Sequence, residues 1–214
     1  MRWLVRWWRK LYCRMKLRQL EFNAARYLIL DLELTGLDAQ KDEIVSAAWL
    51  VLEQGKVRLD SAEYFLNKEV KALSQSPVYH GIDEQMLEQG ESINSILTRL
   101  AAALEGKILV CHNAPLDWAF LKKACQCYDL VLSPLAILDT MAIEKRRLAA
   151  RTEPLNIQSL TLSACRSRYH LPDYAVHNAL TDSLATAELL LAQSSAISSG
   201  KRLKLGQLLQ RAAT

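Results

Sequence analysis

Long apolar runs and a cysteine framework are both missing from this sequence of 214 residues. The first twenty residues contain no uncharged stretch near the seven that a secretory signal needs, and they cannot span a bilayer. Five cysteines, with a lone C-x-C at residues 125–127, form no paired framework, and their odd count is typical of a reducing compartment. There is no internal repeat. With a hydrophobic fraction of 50% and a mean hydropathy of -0.01, the sequence predicts a soluble, cytoplasmic protein with one large domain.

Acidic residues are absent from both ends of the chain. Residues 1–20 hold seven basic side chains and residues 201–214 hold four, with no acid in either segment. The formal net charge of +4 therefore combines +7 and +4 at the ends with -7 for residues 21–200. An acidic body with basic extensions suits an enzyme that gathers carboxylates around metal ions and recruits a polyanion or an anionic surface through its ends.

The first of these basic segments has helical periodicity. One face collects its apolar side chains, and the basic side chains lie mostly opposite; the apolar set is Leu4, Trp7, Trp8, Leu11, Tyr12 and Met15. We therefore predict a basic amphipathic helix over residues 1–20. Its apolar face is suited to an anionic membrane interface, at the inner face of the membrane, or to packing on the domain or on a partner protein, with nucleic-acid contact as a further alternative.

The pattern along the remaining chain predicts a mixed sheet with helices on its faces. Residues 26–34 (RYLILDLEL) read as one strand, and residues 43–66 read as two more that join around Gln54-Gly55. Two further strands are predicted at KILVC and AILD. They alternate with a helix near residues 92–104, a helix that begins at Pro115 and a helix that follows AILD to about residue 148; two more helices are predicted near 157–166 and over 178–193. These elements predict a domain over residues 21–193. Residues 194–200 (SSAISSG) have the composition of a flexible linker, so residues 194–214 are expected to be a linker and a basic tail.

Two carboxylates occupy the second half of the first predicted strand. Because side chains alternate along a strand, Asp31 and Glu33 share a face with Tyr27 and Ile29, while the intervening leucines share the other face. One face thus changes from apolar to anionic along its length. Two negative charges beside a core require a compensating cation, and a divalent metal is the usual partner of adjacent Asp and Glu oxygens. A solvent-facing edge strand would also accommodate the D-x-E pattern.

Two other places in the sequence also have an acidic residue near the end of a predicted secondary-structure element. KILVC is followed by a helix that opens at Pro115 and carries Asp117 in its first turn, where an acid also complements the helix dipole. Near the end of the chain, His177 precedes a helix that contains Asp182. Five residues of helix would turn these two side chains apart, so His177 is expected in the loop before the helix, from which it can reach over the site that Asp182 faces.

Taken together, the three places resemble the motifs of the DEDDh exonuclease family, and in particular the proofreading epsilon subunits of bacterial replicative polymerases. The matching stretches are DLELTG (31–36), HNAPLDWAFL (112–121), DT (139–140) and HNALTD (177–182), with His80-Gly81-Ile82 similar to a further family element. The resemblance spans about residues 26–193. It implies a ribonuclease-H-like α/β/α sandwich with a mixed five-stranded sheet and a 3'-to-5' hydrolysis that releases nucleoside 5'-monophosphates.

The same resemblance implies the roles of individual residues. Asp31, Glu33, Asp117 and Asp182 would hold two Mg²⁺ or Mn²⁺ ions, with Asp31 bridging, and His177 would be the general base. Five further residues would contact the terminal nucleotide or support the site: Leu34, Thr35, Gly36, His112 and Asn113.

The expected partners are the 3' ends of single-stranded DNA or RNA. DLELTGLD is also similar to the opening of oligoribonuclease, so an RNA exonuclease stays open beside the epsilon-like interpretation. A non-catalytic adaptor that docks through residues 1–20 is a third alternative, although the five polar residues of the motifs are all present. The motifs do not distinguish association with a polymerase from association with repair proteins or from action alone. They also leave open whether the phosphate backbone contacts Lys145, Arg146, Arg147 and Arg151.

Overall fold

Five strands form a single mixed sheet in the order β3-β2-β1-β4-β5. The structure is a computed structural model that describes residues 12–73, 77–149, 156–174 and 178–209. The strands are β1 (Arg26–Leu34), β2 (Ile44–Glu53), β3 (Lys56–Leu66), β4 (Ile108–Cys111) and β5 (Ile137–Asp139). The first three are antiparallel neighbours, whereas β4 runs parallel to β1 and β5 runs parallel to β4. The predicted mixed five-stranded sheet is confirmed.

The hairpin between β2 and β3 turns where the sequence predicted. Glu53 pairs with Lys56, so the loop consists of Gln54 and Gly55. Both have positive φ angles, 53° and 71°, which is the requirement of the tight two-residue turn whose twist matches that of the flanking strands.

Helices cover both faces of the sheet. In chain order they are α1 (12–19), α2 (Pro77–His80), α3 (Glu84–Glu88), α4 (Ile93–Leu104), α5 (Ala114–Gln126), α6 (Thr140–Ala149), α7 (Leu162–Ser167), α8 (Ala179–Ser198) and α9 (Leu205–Leu208), with 3₁₀ turns at Phe22–Ala24 and Ile157–Leu160. Leu28 and Leu30 of β1 pack in one core with α4 and α5, while Tyr27 and Ile29 pack in a second core with α8. This alternation is what the strand pattern predicted, and it yields the three layers of the α/β/α sandwich.

Two predicted boundaries are wrong. The helix expected near 157–166 is divided at Thr161, whose extended backbone ends the 3₁₀ turn and whose hydroxyl accepts a hydrogen bond from the Ala164 N–H to begin α7. The linker expected at residues 194–200 is helical to Ser198, because the helix continues along the second core, where Ser194 is buried.

The basic ends of the chain pack against each other and against the second core. Glu21 and Lys204 form an antiparallel bridge, and the Leu205 N–H donates to the Leu20 carbonyl over 2.9 Å. Leu203, Leu205 and Leu208 are buried, so the tail is part of the domain through residue 208. Residues 1–11 of the predicted amphipathic helix and residues 210–214 lie outside the described residues. Among the described helices, none is long and apolar enough to cross a membrane.

Candidate active site

The carboxyl end of β1 places Asp31 and Glu33 at the edge of the second core. Tyr27 and Ile29 precede them on the same face and are fully buried, whereas Glu33 keeps 9% exposure. The pairing of β1 with β2 is regular through Glu33 and shifts between Glu33 and Leu34. Asp31 is thus paired with Ala48 of β2 just beyond the last residue of β1 that pairs with β4, and Glu33 sits where the chain begins to leave the sheet.

The amino end of α8 brings Asp182 to the same place. Asn178 caps the helix by accepting hydrogen bonds from the Leu180 and Thr181 N–H groups, and Asp182 follows in the first turn. The next residue, Ser183, donates to the Ala48 carbonyl of β2 over 3.0 Å and so fixes the helix against the sheet. Carboxylate oxygens of Asp31, Glu33 and Asp182 lie within 4.8 Å of one another. Three hard oxygen donors at this separation fit a divalent ion such as Mg²⁺ or Mn²⁺.

The fourth predicted acid, Asp117, lies beside this group in the first turn of α5 and is 5% exposed. Its negative charge contributes to the raised pKa of Asp31, which shows that the two carboxylates are neighbours. The thiol of Cys111 at the end of β4 lies beside Asp117 and partly offsets the effect of burial on the pKa of that acid. Asp117 is not among the three residues whose oxygens lie within 4.8 Å of one another, so it stands at the side of the cluster.

Burial and repulsion among the acids favour the neutral forms of Asp31, Glu33 and Asp117, or a bound cation. Burial is the main cause that raises the pKa of Asp31, and the charges of Asp117, Asp182 and Glu33 raise it further. Burial and then the charge of Asp182 raise the pKa of Glu33 to about 7, and burial also raises the pKa of Asp117. A cation bound among these oxygens would offset both causes, so the donor set fits the predicted metals in chemistry as well as in geometry.

Asp139 organises the loop between β4 and α5, a role for which the sequence offered only the DT match. One of its oxygens accepts hydrogen bonds from the backbone N–H groups of Asn113 and Met141, each over 3.0 Å. Asn113 itself is left-handed, with φ 82°, and turns the chain from strand to helix. No sequence signal indicated that Cys111 would lie beside Asp117.

His112, predicted to contact substrate, is held inside the protein. Its Nε2 lies 2.8 Å from the Leu160 carbonyl and its Nδ1 lies 2.8 Å from the Thr140 hydroxyl. Burial lowers the pKa of His112, and the neutral ring then donates through Nε2 and accepts from Thr140. This arrangement joins the β4-α5 loop to α6 and to the turn before α7, and a direct contact of His112 with substrate stays a prediction.

The loop after β1 carries the residues expected to hold the terminal nucleotide. The Thr35 hydroxyl accepts a hydrogen bond from the Glu43 N–H over 2.9 Å, and Asp42 accepts from the Asp38 N–H over 2.8 Å. A Cβ at Gly36 would lie 2.4 Å from a carboxylate oxygen of Asp42, so any side chain at this position would displace that carboxylate. Leu34, Thr35 and Gly36 are all half-buried at the mouth of the cluster, and their contact with substrate stays a prediction.

The predicted general base, His177, lies outside the described residues. The segment on its amino side is fastened by Arg166, which donates to the Pro172 carbonyl and to Glu188 over 2.8 Å each. The hydroxyl of Tyr174 donates to the same glutamate over 2.9 Å. Together with the Asn178 cap, these contacts fix both flanks of the position that His177 occupies in the sequence.

The basic residues of α6 have different surroundings. Arg147 stacks on the ring of Tyr169 and approaches Glu144 to 3.8 Å, which gives it structural partners. Arg146 donates to the Leu208 carbonyl over 2.5 Å, and Lys145 is exposed. Arg151 lies outside the described residues.

Comparison with known proteins assigns the sheet and its motifs to one family. The family model RNase_T, described as Exonuclease, matches residues 28–190. The DNA polymerase III PolC-type of Thermotoga petrophila is 29% identical over 170 residues, which are 79% of this chain and 12% of that protein. The 3'-5' exonuclease DinG of Staphylococcus epidermidis is 26% identical over 167 residues, 78% of this chain and 18% of that protein. This chain therefore spans less than a fifth of the length of either relative.

Solved structures share the fold. Cell-death related nuclease 4 superposes with a TM-score of 0.68 at 17% identity, covering 83% of this chain and 65% of the other. E. coli exonuclease I in complex with a dA16 oligonucleotide superposes with a TM-score of 0.67 at 16% identity, covering 80% of this chain and 41% of the other. The ribonuclease-H-like architecture expected from the motifs is thereby confirmed.

Proposed function

The chain belongs to the RNase_T exonuclease family, and on that premise we propose that it is a metal-dependent 3'-to-5' exonuclease. Its substrate would be single-stranded nucleic acid, DNA first, and its products nucleoside 5'-monophosphates. The observation that carries the proposal is the approach of the Asp31, Glu33 and Asp182 oxygens to within 4.8 Å at the carboxyl end of a central strand. Such a set of buried acids destabilises the fold and is useful when cations and a phosphate gather there.

The roles of the chain's residues rest on the family resemblance and on their proximity to one another. Asp31, Glu33 and Asp182, with Asp117 beside Asp31, would hold the two metal ions. Two Mg²⁺ or Mn²⁺ ions, when bound, supply activation of the attacking water and stabilisation of the leaving 3' oxygen. His177 would accept the proton of that water, because an imidazole can take up a proton near neutral pH. In the sequence, His177 lies just before α8, which carries Asp182.

DNA is favoured as substrate by the proteins to which the chain is similar. The relatives include a DNA polymerase and a 3'-5' exonuclease, and the structural neighbours include exonuclease I with oligodeoxynucleotides bound. The oligoribonuclease-like opening DLELTGLD keeps RNA as the alternative. A polymerase or repair partner, and contact of residues 1–20 with an anionic membrane surface or a protein, stay predictions from the sequence.

Degradation of 5'-labelled single strands tests this function. Wild-type protein, Asp31→Asn and the exposed-site control Asp60→Asn are incubated with DNA and with the same RNA sequence, in Mg²⁺, in Mn²⁺ and in EDTA. We expect shortening from the 3' end that needs the metal, survives in Asp60→Asn and falls by more than about 100-fold in Asp31→Asn, because a ligand contributes at least as much as its supporting residues. The ratio of DNA to RNA rates then identifies the substrate.

Two results would contradict the proposal. If wild type shortens neither the DNA nor the RNA strand in any metal, the chain is not an exonuclease and the adaptor alternative is favoured. Equal rates in Asp31→Asn and wild type would show that the carboxylate cluster is not the site of the reaction.

A further inference from the structure

A groove of about 780 Å³ runs along β5, the strand at one edge of the sheet. Its floor is apolar and is formed largely by Leu135, Ile137, Leu138 and the side of Trp118. Three arginines line it as well: Arg14 and Arg18 from α1, and Arg146 from α6. The groove thus combines an apolar and aromatic floor with a rim of positive charge.

The two basic ends of the chain build this rim. Arg18 donates to the Gly206 carbonyl over 2.9 Å, and Arg146 donates to the Leu208 carbonyl, so α1, the tail and α6 are joined around the groove. Arg14 lies one helical turn before Arg18 on the same face of α1 and is exposed. The segregation of charge seen in the sequence therefore places arginines at a defined place beside the sheet.

The groove begins where the candidate active site ends. Asp139, which fixes the Asn113 backbone, also lines the groove, and so does Ala114 at the start of α5. Trp118 follows Asp117 directly in the chain, about 100° further round the helix, so one turn of α5 presents an acid to the cluster and an aromatic ring to the groove.

We propose that this groove binds the single-stranded nucleic acid behind its 3' end, with Trp118 stacking a base and Arg14 contacting a phosphate. The inference rests on the proposed exonuclease function, since a strand whose end lies at the carboxylates must leave past a neighbouring surface. Stacking on an aromatic ring beside basic side chains is the general way in which proteins hold single strands without reading sequence.

An anionic lipid is the competing occupant, because an apolar floor with an arginine rim would also accept an acyl chain and its headgroup. The strand is favoured by continuity. The groove shares Asp139 and the start of α5 with the candidate active site. A nucleic-acid strand bound at that site would pass along the groove, whereas lipid binding does not require this adjacency.

Binding measured without turnover tests the proposal. Fluorescein-labelled dT20 is titrated in EDTA over a series of salt concentrations with wild type, Arg14→Glu and the matched control Lys16→Glu, which changes the same charge on another face of α1. We expect Arg14→Glu to weaken binding at least about 5-fold and to reduce the slope of log K against log salt by about 0.7, the value for one phosphate contact on a single strand. Lys16→Glu should match wild type.

A second series examines the ring. Trp118→Leu should weaken dT20 binding about 5-fold or more, and Trp118→Phe should restore most of it, because phenylalanine keeps a stacking surface and leucine keeps only the apolar contact. In the nuclease assay, Arg14→Glu should lower the ratio of kcat/KM on a 20-mer to kcat/KM on a dinucleotide.

The outcomes separate the two proposals. The groove assignment would be overturned if Arg14→Glu and Trp118→Leu bind dT20 as tightly as wild type does. If wild type also shortens dinucleotides in that case, the proposed nuclease function stands. If wild type binds dT20 but hydrolyses neither DNA nor RNA in any metal, the proposed exonuclease function is contradicted instead. Weaker binding of Arg14→Glu to phosphatidylglycerol vesicles, with dT20 binding unchanged, would assign the groove to lipid and overturn the inference.

Discussion

Replacement of Glu33 by glutamine should make the metal-free protein more stable at neutral pH. Glu33 is nearly buried, and burial together with Asp182 raises its pKa from 4.5 to about 7. Below pH 4.5 the side chain is protonated in both the folded and the unfolded chain and carries no penalty. As the pH rises, the unfolded chain loses the proton first, so the free energy of unfolding falls until the pH passes about 7.

The shift itself gives the size of this effect. A pKa raised from 4.5 to about 7 corresponds to roughly 3 kcal/mol at pH 8. Burial is the larger cause of the shift, and repulsion by Asp182 contributes the rest. For a chain of this length, about 3 kcal/mol is roughly 6–12 °C in Tm.

Thermal unfolding in EDTA from pH 4 to pH 8 measures it, with Glu88→Gln as the control at an exposed glutamate of α3. We expect Glu33→Gln to unfold near the wild-type Tm at pH 4 and several degrees above it at pH 8, while the control follows wild type throughout. Saturating Mg²⁺ or Mn²⁺ should raise the wild-type Tm at pH 8 and help the variant much less, because free ligand at 100 times Kd contributes about 2.7 kcal/mol. Parallel curves for wild type and Glu33→Gln in EDTA would refute the argument from burial and repulsion.

Three further replacements test other parts of the structure. Gly36→Ala should lower the free energy of unfolding by about 1–3 kcal/mol and raise KM for a DNA 3' end, because the new Cβ displaces the Asp42 carboxylate; urea unfolding and steady-state rates measure the two effects, and an unchanged KM would argue against substrate contact in this loop. Arg166→Ala should destabilise by about 3–5 kcal/mol in urea, because the ion pair of the buried guanidinium with Glu188 is lost and Glu188 keeps only its hydrogen bond from Tyr174; a loss below about 1 kcal/mol would show that solvent replaces the pair. His112→Leu should destabilise by about 2–4 kcal/mol, since two buried hydrogen bonds are lost, and unaltered stability would return His112 to a role in substrate contact.

The strand that carries the first acids could be predicted to the residue. In β1, a side-chain period of two residues and a change from Ile29 to Asp31 on one face fix both the element and its functional end, because a slip of one residue would turn Asp31 and Glu33 toward the other core. The Gln54-Gly55 turn was equally predictable, since Gly55 adopts a positive φ angle without steric cost between two predicted strands. Local rules sufficed in both places.

The tail could not be predicted in this way. Leu203, Leu205 and Leu208 alternate with basic and small residues over too short a span for a clear period, and SSAISSG has the composition of a linker. Their burial results from contacts with residues about 180 positions earlier, such as the bridge between Glu21 and Lys204. The role of Asp139 escaped for the same reason, because its partners meet only when β4 and β5 lie side by side.

The hydrogen bond between the Leu205 N–H and the Leu20 carbonyl makes the domain a closed loop of chain. Its entry and exit lie at one point, so the fold can be placed within another polypeptide as an insertion without stretching either host segment. Within the described residues, the same closure favours a permuted chain that is opened at the exposed turn of Gln54 and keeps the same sheet.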